Sequence, residues 1–298
     1  MQHILTASQF DRSSVEEIFK LADTLEGKRN ESLKGKILAT LFYEPSTRTR
    51  LSFESAMYRL GGEVISSENA RDNSSAIKGE TLEDTVRIVD DYADVIALRH
   101  PEAGAATRAA GVSAVPILNA GDGGEHPTQA LLDLYTIRRE LGKADDFHIT
   151  FVGNLAYYRT ARSLALLLGR YQGVTMSFVS APELKMDEGT KRALQEARVA
   201  IDETEDIESA MKAADVVYQT RIAKEWIPDQ AVYEKLKTKY AMTREMVDTM
   251  KKGAILMHPL PRVGEISPDV DSSPHDVYFK QAAYGVTVRM ALLTMLIG

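Results

Sequence analysis

The sequence predicts an α/β protein: two doubly wound parallel-sheet domains joined by a long helix, with the C-terminal helix packing back on the first domain. Three observations carry this. The chain has 298 residues, enough for two α/β domains of ordinary size. Short apolar runs alternate with helical patterns, as in a parallel sheet covered on both faces. Midway, a long helix candidate over Pro127–Leu141 leads into the polar break Gly142-Lys-Ala-Asp-Asp146, after which the alternation begins again.

Taken in order, the first element is a helix. Ser13 and Glu16 have capping-box spacing, Val15, Ile18, Phe19, Ala22 and Leu25 share one face, and Gly27 stops it. Strands are expected at Ile37–Tyr43, Glu63–Ser66, Val95–Leu98 and Val115–Leu118. Between them, helices are expected at Thr47–Leu60, Thr81–Asp91 and Ala103–Ala110. In the linking helix, Leu131, Leu134, Tyr135 and Arg138 share a face, which reads as partly apolar and partly wet. A second set of strands follows at His148–Gly153, Val174–Val179, Val199–Asp202, Val216–Thr220 and Ala254–His258. The last helix, Val286–Leu296, is apolar on most faces and so expected to be buried. The domains are therefore placed at 1–130, completed by 284–298, and at 142–283. No repeat or low-complexity tract is evident.

The net charge of −7 argues against general nucleic-acid binding but leaves room for a small anionic substrate held by a few converging arginines. No apolar run approaches the roughly 20 residues that span a bilayer, and the polar start does not read as a secretory signal. The absence of cysteine excludes disulfides and thiolate metal sites and fits a reducing cytoplasm, the expected location.

The chemistry concentrates at Phe42-Tyr-Glu-Pro-Ser46-Thr47-Arg48-Thr49-Arg50, where an apolar strand ends and a helix starts. Helix-start N–H groups and the positive end of the helix dipole suit a phosphate, and Arg48 adds a planar fork for oxyanions. An ordinary Ser/Thr cap with solvated arginines would show the same composition. His126 precedes Pro127 at another helix start, with Gln129 one turn on. Arg99 ends a strand, where ligands sit in open α/β sheets. Lys78 lies in the Ser/Asn-rich stretch 69–79, which reads as a loop. His258-Pro259-Leu260-Pro261 ends a strand, and Leu260–Pro261 is a candidate cis peptide.

Together these motifs resemble the aspartate/ornithine carbamoyltransferase family over essentially the whole chain. Pro45–Arg50 resembles its carbamoyl-phosphate signature, Ser74-Ser-Ala-Ile-Lys78-Gly-Glu80 its mobile loop, Arg99-His-Pro101 its next strand end, and His126-Pro-Thr-Gln129 a further signature. His258-Pro-Leu-Pro-Arg262 resembles the pattern of the aspartate branch. The resemblance implies a reaction without metal, cofactor or covalent intermediate, in which an uncharged amine attacks the carbamoyl carbon and phosphate leaves. It implies that Arg48, Thr49, Arg99 and His126 are catalytic. It also implies that Ser46, Thr47, Ser74, Lys78, Gln129, Pro259 and Leu260 join them in holding carbamoyl phosphate, and that Lys78, Arg159 and Arg221 hold L-aspartate. A homotrimer with shared active sites is implied as well, Lys78 coming from a neighbouring subunit. A regulatory chain or a dihydroorotase partner is left open.

The second-substrate half departs from the family. The usual Gly-Asp-Leu-Lys-x-Gly-Arg-Thr-x-His-Ser reads Gly153-Asn154-Leu-Ala156-Tyr157-Tyr158-Arg159-Thr-Ala-Arg-Ser163, and the usual Thr-Arg-x-Gln-x-Glu-Arg reads Thr220-Arg221-Ile-Ala223-Lys-Glu225-Trp226. Gly264 stands where Asp or Asn is common. Arg159 and Arg221 can still clamp a dicarboxylate. Each lost polar contact costs about 1–3 kcal/mol unless neighbouring changes compensate. L-Aspartate is the favoured acceptor, ahead of another amine and of a non-catalytic carbamoyl-phosphate-binding paralogue. A dinucleotide enzyme ranks last, because Phe151-Val-Gly153 lacks G-x-G-x-x-G spacing.

Overall fold

A computed structural model describes residues 2–70 and 78–298. The chain divides into two compact units, one of Met1–Leu132 with Ala283–Gly298 and one of Asp133–Ala282.

In the first unit, β1 (Ile37–Phe42), β2 (Glu63–Glu68), β3 (Val95–Arg99) and β4 (Ile117–Asn119) form a parallel sheet in the order β2-β1-β3-β4. The near-continuous apolar runs of β1 and β3 are buried on both faces. β2 is an edge strand and carries a mostly exposed, polar-rich sequence. Helices α1 (Arg12–Leu25), α2 (Thr47–Arg59), α3 (Leu82–Val89) and α4 (Ala105–Ala110) complete the alternation. The order places β1 between a strand that follows it and one added on its other side. The sheet's topological switch point is therefore the gap between the ends of β1 and β3.

The second unit repeats the scheme. β5 (His148–Val152), β6 (Thr175–Val179), β7 (Ala200–Thr204), β8 (Val216–Gln219) and β9 (Ile255–Met257) run parallel in the order β7-β6-β5-β8-β9. Its switch point lies between the ends of β5 and β8. Helix α5 (Pro127–Leu141) carries the chain from the first unit into the second, and α6 (Arg159–Leu168) follows β5. The last helix, α7, runs over Tyr278–Ile297, and its C-terminal part belongs to the first unit. There the Arg289 guanidinium lies over the Phe53 ring, 4.9 Å from its centroid.

Three expectations need correction. The first helix is capped by Asp11, not Ser13. Asp11 Oδ1 accepts from the Ser14 N–H at 2.8 Å, and Ser14 Oγ meets the Asp11 N–H at 3.0 Å. The linking helix is wet only in its last turn: positions 138–141 are half-buried or exposed, and 127–137 are all buried. Asp133 tolerates this because Tyr218 Oη and Gln281 Nε2 donate to its two oxygens at 2.8 and 2.6 Å. The last helix starts at Tyr278, eight positions before Val286, with Gly285 inside it.

Candidate active site

At the switch point of the first unit, the register pairs Phe42 with Arg99, and the Tyr43 N–H donates to the Arg99 carbonyl at 2.9 Å. This holds the two strand ends side by side. The chain then turns through Glu44 and Pro45 into α2, with Ser46 at the N-cap position. The Ser46 side chain makes no cap hydrogen bond, so it does not use up the first N–H groups of this helix. Thr47 and Arg48 are exposed and Thr49 is buried.

The two arginines of the motif part company here. Arg50 pairs with Glu54 at 3.1 Å and with Glu68, on the neighbouring strand β2, at 2.8 Å. Its charge is spent on tying α2 to the sheet. Arg48 makes no ion pair with any described residue, so its fork remains available to an anion.

Arg99 projects from the end of β3. It lies 3.5 Å from Glu44 and donates to the Ala120 carbonyl at 3.4 Å. His100 beside it is buried, and burial holds its pKa down. As a neutral ring it accepts the Glu102 N–H at 3.1 Å and packs against Tyr43 at 4.7 Å. His126, 3% exposed, opens α5, with Gln129 buried one turn on. The link between Arg99 and His126 is Gly121. A Cβ there would lie 2.7 Å from Arg99 Nη1 and 3.3 Å from His126 Nε2. Two donors from distant stretches thus flank one point, and the backbone at that point has φ +110°, which favours glycine.

Not every expected residue joins this group. Lys78 is exposed, and no described residue forms a hydrogen bond or ion pair with it. Ser74 lies outside the described residues. Glu44 and Gly121 escaped sequence reasoning. The glycine-rich run Gly121-Asp-Gly-Gly124 after a strand was the available signal, since Gly123 also sits where a Cβ would meet the Pro101 carbonyl at 2.2 Å.

In the second unit, Gly153 follows β5 with φ +111°, and a Cβ there would lie 2.5 Å from the Thr220 carbonyl. Thr220, after β8, uses its hydroxyl to receive the Asn154 N–H at 2.9 Å and to donate to the Val152 carbonyl at 2.9 Å. The two strand ends are laced together, and Arg159 and Arg221 issue from them. Arg159 is the first residue of α6. Arg221 donates from Nε to the Tyr158 hydroxyl at 3.0 Å and pairs with Glu225. Tyr157 and Trp226 stack at 4.6 Å with 7° between ring planes. Tyr158 has φ −84°, so the position where the family pattern has Gly needs no glycine here. Two of the departures, Tyr158 and Trp226, thus find partners in the retained Arg221 and in Tyr157.

Pro259 and Leu260 lie in a turn that ends β9, and the Leu260–Pro261 peptide is cis. The Leu260 N–H donates to His258 Nδ1 at 2.8 Å, and His258 Nε2 lies 2.8 Å from Glu265, both side chains being buried. Because Nδ1 accepts, the imidazole is neutral with its proton on Nε2, directed at Glu265. Burial pushes the Glu265 carboxyl up, yet the His258 bond and the Val263 N–H hold it below its ordinary value overall. His258 thus holds the turn in shape.

Residues 2–139 match the family model for the aspartate/ornithine carbamoyltransferase carbamoyl-P binding domain, and residues 145–296 match that for the Asp/Orn binding domain. The chain is 51% identical to the chloroplastic aspartate carbamoyltransferase 3 of Pisum sativum, over all of this chain and 78% of that protein. It resembles the solved catalytic subunit of M. jannaschii aspartate transcarbamoylase at 48% identity and TM-score 0.93, over 100% and 98% of the two chains. The Trypanosoma cruzi enzyme, solved in complex with carbamoyl phosphate and aspartate, aligns at 38% identity and TM-score 0.93, over 100% and 97%.

Proposed function

The chain belongs to the aspartate/ornithine carbamoyltransferase family, and from that premise we propose that it transfers the carbamoyl group of carbamoyl phosphate to the amino group of L-aspartate. The products are N-carbamoyl-L-aspartate and phosphate, a step of pyrimidine biosynthesis. The observation that carries the site assignment is the convergence of Arg99 and His126 on Gly121, at the sheet end where Ser46–Thr49 opens α2.

The first unit is assigned to carbamoyl phosphate and the second to aspartate. Ser46, Thr47, Arg48 and Thr49 would hold the phosphate, joined by Ser74 and Lys78. Thr49, Arg99 and His126 would donate to the carbonyl oxygen as negative charge develops on it. Gln129 and the carbonyls of Pro259 and Leu260 would orient the carbamoyl NH2. Arg159, Arg221 and Lys78 would take the carboxylates of aspartate. Holding the uncharged amine against the carbamoyl carbon contributes up to about 7–11 kcal/mol in favourable cases, so positioning alone can supply much of the rate.

The assay is direct: purified protein, carbamoyl phosphate and a panel of amines including L-aspartate. Carbamoyl-aspartate at ordinary turnover is expected. Turnover only with another amine would reassign the second substrate, and binding of carbamoyl phosphate without product from any amine would remove the activity.

The assembly belongs to the same proposal. A homotrimer in which Lys78 serves a neighbouring subunit accounts for its lack of described partners within one chain. Leu51, Tyr58 and Ile65, exposed on α2 and the edge strand β2, offer apolar surface for such contacts. Mixing Lys78→Ala chains with Arg48→Ala chains should restore part of the activity; none in verified mixed oligomers would exclude sharing. A cytoplasmic location goes with this proposal and is checked by cell fractionation. Among the described residues no helix is long and apolar enough to cross a membrane.

A further inference from the structure

The loops that leave β5 and β8 in the second unit are joined by two aromatic contacts. Tyr157 stacks on Trp226, and the neighbouring Tyr158 accepts a hydrogen bond from Arg221. These contacts are supported from below. The Tyr157 N–H donates to Asn154 Oδ1 at 3.2 Å, and the Asn154 N–H donates to Thr220 Oγ1 at 2.9 Å. The first loop therefore hangs on the residue just before Arg221. Ala223, buried beside it, offers no polar side-chain atom.

A guanidinium has five N–H donors, and those on Nε and the near side of Nη2 point along one edge. Here Nε is engaged by Tyr158 and Nη2 by Glu225. Nη1 has no acceptor among the described residues. The phenol is in a matching state. Its oxygen receives Arg221, while its own hydrogen finds no acceptor among the described residues. Burial pushes the Tyr158 phenol above its ordinary pKa, so it keeps that hydrogen at neutral pH. Glu225 is largely exposed, and an exposed ion pair of this kind is weak enough to yield to an incoming carboxylate.

We propose that Tyr158 is a specificity-determining residue whose hydroxyl, fixed by Arg221 Nε, donates beside the Arg221 guanidinium to one carboxylate of the dicarboxylate substrate. A neutral donor and a cation are thereby coupled into one recognition unit, and the Tyr157–Trp226 stack holds the loop that carries it. The inference rests on the assignment of aspartate to this unit.

The test compares Tyr158→Phe, which removes one oxygen and keeps the ring, with Arg221→Ala. The readouts are KM for each substrate, kcat, and inhibition by succinate against succinamate, which lacks one carboxylate. Tyr158→Phe should raise KM for aspartate roughly tenfold or more, the usual loss for a hydrogen bond to a charged group. KM for carbamoyl phosphate should stay within about twofold, and the preference for succinate over succinamate should fall in parallel. A merely structural role would weaken both inhibitors alike and would overturn the proposal. Should Arg221→Ala abolish aspartate affinity while Tyr158→Phe leaves both KM and the preference intact, the proposal is wrong and the site assignment stands. Should Arg221→Ala leave aspartate affinity untouched, the site assignment itself falls, and this inference with it.

Discussion

Two glycines, one in each unit, share an unusual backbone and do different work. Gly121 and Gly153 have φ of +110° and +111°. Around Gly121 the space a side chain would take is bounded by the ends of Arg99 and His126; around Gly153 it is bounded by the carbonyl and hydroxyl of Thr220. The first glycine lets two functional groups approach one another. The second lets two strand ends be stitched together. In the first unit the glycine after β4 leaves room for side chains from two other stretches; in the second the glycine after β5 leaves room for the residue that ends the neighbouring strand.

Alanine at each glycine separates the two roles. Both variants bear the strain of an L-residue at positive φ, of order 1–2 kcal/mol. They should differ in the rest. In Gly121→Ala the flexible Arg99 terminus yields, which on the proposed assignment takes its donor away from the carbonyl oxygen. We expect kcat to fall about 10²-fold with a modest loss of Tm. In Gly153→Ala the obstacle is backbone at 2.5 Å, so the larger loss should be in Tm, with aspartate KM raised. Equal losses of Tm and kcat in both would dissolve the distinction. Thermal melts and steady-state kinetics on the same preparations decide it.

A second pair sharpens the contrast within the first unit. Arg48→Ala removes a fork that no described acid engages, and should lower kcat/KM for carbamoyl phosphate by about 10–100-fold at little cost in stability. Arg50→Ala leaves Glu54 and Glu68 without their cation between α2 and β2, and should lower Tm more than it alters carbamoyl-phosphate affinity. If the two variants behave alike in binding, the division of labour between the arginines is wrong.

What the sequence disclosed, and what it hid, follows from the range of the interactions. Strand and helix periods are local, so the parallel sheets and the linking helix were legible. The motif around Ser46–Arg50 was legible because a strand end and a helix start adjoin in sequence. The motif already singled out Arg48 as the anion fork; the ion-pair role of Arg50 was not legible, because that depends on Glu68, on a strand reached only after the helix. The cap of α1 was misplaced because Asp11 and Ser14 have the same three-residue spacing as Ser13 and Glu16. The early start of the last helix was hidden by Gly285, which tertiary packing tolerates; a Cβ there would lie 3.2 Å from Leu132. Likewise, Tyr158 and Trp226 looked like losses when set against a family pattern. Their partners, Arg221 and Tyr157, are 63 and 69 positions away, and only folding shows that the new side chains are engaged.

The smallest expected effect supplies a control lying outside both switch points. Asp276 accepts the Tyr278 N–H at 3.1 Å near the start of the last helix, and burial, with Asp271 nearby, pushes its carboxyl up to about 6. The folded chain therefore keeps this proton where the unfolded chain, with an ordinary carboxyl, has already released it. Between about pH 4 and 6 the native state binds more protons than the unfolded state, so this group makes stability fall as pH rises, and the deficit persists above pH 6. Asp276→Asn does not ionise and keeps an oxygen for the Tyr278 N–H. Variant and parent should melt together near pH 4 and separate through the window, the variant being more stable by a few degrees at pH 7. Other carboxyls held below their ordinary values, Glu265 and Asp271 among them, act in the opposite sense at lower pH and largely cancel in the difference. KM for both substrates should be unchanged. A Tm difference that does not depend on pH would mean that Asp276 acts through packing rather than through its proton.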